Sequence, residues 1–132
     1  MTIFDIKEND KFTFVLIKDK LKDGPVANIS YTFPKKDYRG HLNQLIDITI
    51  NGIASFPKEK KNIKLYKYIN GLNKKNVIVT FFIDEKYNEI SVSISPPYNN
   101  IDFDNDYLIS ITGKLLAHAE TEYSNIMNII WS

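Results

Sequence analysis

The chain has 132 residues, 43% of them apolar and 25% charged, with a formal net charge of +1. This balance fits one globular domain spanning 1–132, able to bury about two-thirds of its unfolded surface, and excludes a disordered chain. There is no cysteine, so disulfides and thiolate metal sites are excluded, and no stretch approaches the ~20 apolar residues of a membrane span.

The opening segment, MTIFDIKENDKF, mixes acids and bases and holds no apolar run of secretory length; a cytoplasmic location is expected. Residues 11–19 and 26–33 then read as strands, joined by the charged turn KLKDGP with its Gly-Pro punctuation. Residues 42–56 carry two signals. Asn51-Gly52 is a strong two-residue hairpin signal. Leu42, Leu45, Ile46, Thr49, Ile50 and Ile53 nevertheless recur at helical spacing, with Asp37 placed to cap the start and Gly52 to end the helix. The next segment, FPKEKKNIKLYKYING, repeats that grammar, with Pro57 in a first turn and Gly71 after the last. The matched punctuation favours helices for both.

The run NVIVTFFID is apolar on both faces, which predicts a central strand, and EISVSIS forms its hairpin partner. In that partner Ile90, Val92 and Ile94 alternate with Ser91, Ser93 and Ser95, and Pro96-Pro97 stops the strand. Residues 107–111 read as a short strand or as a first helical segment kinked at Gly113. From there Leu115, Leu116, Ala119, Tyr123, Ile126, Met127 and Ile130 form one helical stripe, with Thr112 as a cap and Lys114, Glu120, Glu122, Asn125 and Asn128 on the other side. The predicted fold is α+β, an antiparallel sheet with helices packed on it; an all-β sandwich is the alternative, because each glycine that ends a helix can also turn a hairpin.

Composition limits some inferences. Twenty isoleucines, 14 asparagines and 16 lysines against one arginine match an AT-rich genome, so neither Ile nor Lys abundance is strong evidence by itself. Planar, bidentate grips on phosphate or guanine use arginine, and Arg39 alone does not furnish them. Charge is nonetheless segregated. Residues 58–75 hold seven lysines and one acid, and residues 84–122 hold eight acids and two lysines. Opposed blocks of this kind steer encounter and orientation.

Asp102, Asp104 and Asp106 alternate in the manner of the first half of a calcium loop. Such a loop needs glycine at its sixth position and a bidentate glutamate at its twelfth. Tyr107 and Gly113 occupy those positions, so no metal or cofactor is expected. His41 and His118 are the only imidazoles. They define a minor alternative, a small histidine-dependent ribonuclease. The simpler reading pairs His118 with Glu122 one turn later. Without G-x-S-x-G, H-E-x-x-H or P-loop signatures, an enzyme is not expected. The block Lys58–Lys75, with Tyr66 and Tyr68 among its lysines, offers a second alternative, a nucleic-acid-binding module. On a helix, Ile63, Tyr66 and Ile69 would make its apolar stripe, flanked by Lys60, Lys64 and Lys67, which is the ordinary pattern of a surface helix.

What remains is a binding module. The acidic half, Asp102, Asp104, Asp106, Glu120 and Glu122, together with Tyr98 and Tyr107, suits a basic protein partner: complementary fields speed encounter and aromatic rings supply buried contact. In its size, its cysteine-free single domain, its composition and its α+β pattern without a catalytic signature, the chain resembles the small immunity proteins of bacterial contact-dependent and polymorphic toxin systems. The resemblance implies one-to-one binding of a cognate toxin domain, often a basic nuclease, by covering its active site or substrate path. Immunity proteins that neutralise nucleases are frequently acidic overall, and this chain is not.

Overall fold

The computed structural model describes residues 2–21, 24–34, 44–60, 63–76, 78–98 and 105–132. Six strands, β1 (Thr2–Glu8), β2 (Phe12–Lys20), β3 (Val26–Pro34), β5 (Asp47–Ser55), β6 (Val79–Asp84) and β7 (Glu89–Ile94), form one antiparallel sheet in the order β1-β2-β3-β5-β7-β6. Two short strands, β4 (Gln44–Leu45) and β8 (Pro97–Tyr98), pair separately. Helices α1 (Ile63–Lys75) and α2 (Asn105–Ile130) both pack on one face of the sheet. The fold is α+β, as the sequence predicts. No helix among the described residues is long and apolar enough to cross a membrane.

Cross-strand partners share a face, so the register identifies the core. Val15, Tyr31, Ile48, Ile94 and Val79 make one row across the sheet, and Ile17, Ile29, Ile50, Val92 and Phe81 make the next. Against these rows lie Leu65, Ile69 and Leu72 of α1 and Leu115, Ala119, Ile126 and Ile130 of α2, all buried. The opposite face presents small polar groups in its middle, among them Ser30, Thr49 and Ser93, with Phe14 and Leu16 on one side and Phe82 on the other.

Residues 47–55 are neither helix nor hairpin. They form one strand, paired with β3 on one side and β7 on the other. Ile46, Ile48, Thr49, Ile50 and Ile53 are all branched at Cβ; such side chains lose rotamer freedom in a helix and fit a pleated surface well. Gly52 serves as a bulge, not a turn or helix end. Its φ is +63°, the register slips between Ile50 and Ala54, and its N–H donates to the Ser91 hydroxyl (3.0 Å). That bond accounts for a buried serine on β7.

Several boundaries differ from expectation. A 3-10 turn at Lys58–Lys60 precedes α1, which then runs through Gly71 to Lys75. The buried stripe of α1 is Leu65, Ile69 and Leu72, while Ile63 is 71% exposed and Tyr66 lies outside the core. Residues 107–111 are helical, and Thr112 sits mid-helix and buried instead of capping. Its hydroxyl donates to the Leu108 carbonyl (2.8 Å) and so accepts from the Tyr31 hydroxyl (2.8 Å), which fastens α2 to the middle of the sheet. The strand at 79–84 is an edge, not central. Its outer side is closed by Asn73, whose side-chain amide donates to the Phe81 carbonyl (2.8 Å) and accepts from the Phe81 N–H (2.7 Å), replacing a neighbouring strand at that point. Such closure protects an edge from unwanted pairing.

Gly52→Ala places a Cβ on left-handed backbone and is expected to destabilise by about 1–2 kcal/mol. Gly71→Ala lies within a helix where a Cβ meets nothing within 4 Å, and is expected to stabilise by about 0.5–1 kcal/mol. Urea unfolding of both variants checks the pair; a destabilised Gly71→Ala would place that glycine at a helix end after all.

Candidate partner-binding surface

Helix α2 divides the predicted acidic site. Thr112 lies over Tyr31. Tyr123 lies near Gly24, where a methyl group on the glycine would stand 3.7 Å from the tyrosine ring, so α2 runs antiparallel to β3. At about 100° per residue, Ile109, Leu116, Glu120 and Met127 fall on one flank of its buried stripe, with Asp106 on the same side but turned nearer the outer face. Tyr107, Ile111, His118, Glu122 and Asn125 fall on the other.

The second flank faces α1. The Tyr68 hydroxyl on α1 donates a short hydrogen bond to Glu122 Oε2, which also accepts from Asn125 Nδ2 (3.3 Å). Burial, then the Glu122 carboxylate, push the Tyr68 phenol up to about 12. Glu122 is therefore engaged with Tyr68 and Asn125, not with His118 as the sequence suggests. A second tyrosine on α1 behaves alike: Tyr66 donates to Glu85 Oε1 (2.9 Å). Beside it an open groove of about 590 Å³ runs between α1 and the β6 edge, with Ile63, Asn70 and Ile83 in its walls. Two carboxylates of the acidic block thus serve to hold the basic helix α1 to the rest of the fold.

Of the remaining predicted residues, Asp106 and Tyr107 are exposed in the first turn of α2. Tyr98 pairs through its backbone with Gln44. Asp102, Asp104 and His41 lie outside the described residues. No group of three metal-binding side chains gathers among the described residues.

The first flank of α2 borders a surface that sequence reasoning missed. Strands stand about 4.8 Å apart and packed helices about 8–10 Å, so one helix covers about two strands. Here α1 packs chiefly on β6 and α2 on β5 and β7, with Tyr31 of β3 beneath α2. Strands β1 and β2 extend beyond them as a ledge. Ile6, in the same row as Val15 and Tyr31, is 61% exposed although it faces the helix side. Val15, Ile17 and Leu116 are only partly buried, and Ile109 on the adjoining flank is 57% exposed.

The lysines of β1 and β2 keep to the face away from the helices, where Asp5 also lies, 3.5 Å from Lys7. Glu8 pairs with Thr13 and Asp19 with Ala27, which puts both carboxylates in the helix-facing rows; Lys7, Lys18 and Lys20 alternate to the opposite face. Among the described residues, the helix-facing positions of β1 and β2 carry acids and no lysine. With Asp106 and Glu120 on α2, four carboxylates from β1, β2 and α2 lie on the side of the molecule that carries this apolar strip. The only local signal was the alternation in IKEND and IKDK, which is unreadable until both strands are placed. The chain matches no protein-family model, no curated protein and no solved structure.

Tyr68→Phe is expected to lower stability by about 1–2 kcal/mol near neutral pH. The folded phenol holds its proton more tightly than the unfolded one, so its contribution is complete below pH 10 and is lost as pH rises from 10 through about 12. Unfolding measured from pH 8 to 12 should show the margin over Tyr68→Phe narrowing across that window; a constant margin contradicts the assignment.

Proposed function

We propose that this protein is an immunity or inhibitor protein that acts in the cytoplasm by binding a cognate basic toxin domain and covering its active site or substrate path. The observation that supports this reading is the ledge, where exposed apolar side chains and four carboxylates share one side of the molecule. Complementary fields raise association rates, and apolar area released from water supplies the lasting contact. Partner binding on this reading uses Asp106 and Glu120 of the predicted set together with Glu8 and Asp19. Tyr107 and Glu122 face the other way, and Glu122 has a structural task.

The nucleic-acid reading is weaker. Lys64, Lys67, Lys74 and Lys75 are exposed on α1, but Tyr66, the aromatic beside them, is tied to Glu85 and so is not presented for base stacking.

The test is a search for a toxin domain encoded beside this gene, followed by co-expression with it; a neighbourhood without one would contradict the reading. Asp19→Lys with Glu120→Lys should reduce protection of growth and slow association at least tenfold, with a reduced salt dependence. Lys64→Glu with Lys67→Glu should leave both nearly unchanged. The opposite pattern would transfer the function to α1.

A further inference from the structure

We propose that the partner's contribution to this surface is a single basic amphipathic helix, laid alongside α2 over β1 and β2 as the third helix of the layer. This rests on the reading that the ledge binds a protein, and it specifies which element of that protein enters.

Width comes first. Six strands accommodate about three helices at the spacings of packed secondary structure, and the described residues supply two, α1 on β6 and α2 on β5 and β7 with Tyr31 of β3 beneath it. The open part is about one helix wide. It has a wall as well as a floor: β1 and β2 form the floor through Ile6, Val15 and Ile17, and α2 forms the wall through Ile109 and Leu116. A concave step of this shape fits a cylinder better than a flat loop or an added strand. An added strand would instead use the outer edge of β1, where no wall is formed by the described residues.

Length follows from the ladder. The β1–β2 pairing runs from Thr2↔Lys18 to Glu8↔Thr13, about 20 Å at ~3.3 Å per residue. A helix of that length has about 14 residues, or four turns. Its buried stripe would carry apolar residues at i, i+3, i+4 and i+7. Its sides would meet Glu8 and Asp19 at the strand ends and Asp106 and Glu120 along α2, which calls for lysine or arginine on both flanks of the stripe. Lysines on this side of the ledge would oppose such an occupant, and β1 and β2 turn theirs to the other face.

The probe is an 18-residue peptide of leucine and lysine with leucines in that spacing, titrated into the isotopically labelled full chain. Amide shifts should concentrate in β1, β2 and the Ile109–Glu120 flank of α2. Affinity should fall at least tenfold when glutamate replaces the peptide's lysines, and also for Ile6→Asp with Asp19→Lys. Ile6 is exposed, so the fold should survive the change, and an unaltered central-strand spectrum confirms this. Shifts confined to the α1–β6 groove, no binding at all, or a dimer in which a second copy's α1 fills the ledge would each overturn the proposal. Protection assays separate it from the broader reading. If the double variant still neutralises the toxin domain, the ledge is wrong and neutralisation stands. If the peptide maps to the ledge but no neighbouring toxin domain is bound, the third-helix site stands and the immunity reading falls.

Discussion

A sheet of six strands on which the described residues lay two helices cannot be covered evenly by those helices, and the rest of this structure follows from where the shortfall lies. The chain places its helices over the four strands on the β6 side, where Tyr31–Thr112 anchors α2 and Asn73 clamps α1 to the outer strand. The deficit then falls on β1 and β2. Burial there is partial, so hydrophobic stabilisation of these strands, roughly proportional to apolar area removed from water, is smaller than at the centre, where Ile29, Ile48, Ile50 and Val92 are wholly buried.

Charge follows the same division. The lysine-rich helix α1 sits on the well-covered side and is held by two tyrosine–carboxylate bonds, Tyr66 to Glu85 and Tyr68 to Glu122. These bonds use neutral donors, so a carboxylate can be partly buried beside a basic helix without the full cost of an isolated charge. On the uncovered side Glu8, Asp19 and Glu120 border β1 and β2, with Asp106 near them in the first turn of α2. A near-neutral total of +1 therefore conceals a molecule with a basic helix at one side and an acid-bordered apolar ledge at the other.

How much of this was legible from the sequence depended on how local each signal was. The apolar runs at 11–19 and 26–33 and the alternation in 89–95 marked strands correctly, and the three-four spacing of 115–130 marked the long helix, because each element carries its own pattern. The segment 47–55 carried two patterns at once. An isoleucine-rich chain produces helical spacings by coincidence, and only the pairing with β3 and β7 decides between them. Glycine was the least reliable guide: Gly52 makes a bulge and Gly71 lies inside α1, although each invited reading as a helix end, and Gly113, read as a kink, lies within the continuous helix α2. Strand β1 was missed because an edge strand with alternating Asp, Lys and Glu lacks an apolar run. The candidate site inherited that omission. Its acids come from β1, β2 and α2, and a scan for charge blocks detects only residues that are neighbours in sequence, as with Glu122, whose carboxylate turned out to hold α1.

Under-coverage of β1 and β2 in the isolated protein is the condition on which the ledge and the proposed partner helix both depend. Native-state hydrogen exchange measures this residue by residue, since amides report the free energy of the smallest opening that exposes them. The amides joining β1 to β2 should exchange through openings well below the global unfolding free energy, while those joining β5 to β3 and β7 should require complete unfolding. Equal protection from β1 across to β7 would contradict the ledge and the surface built on it.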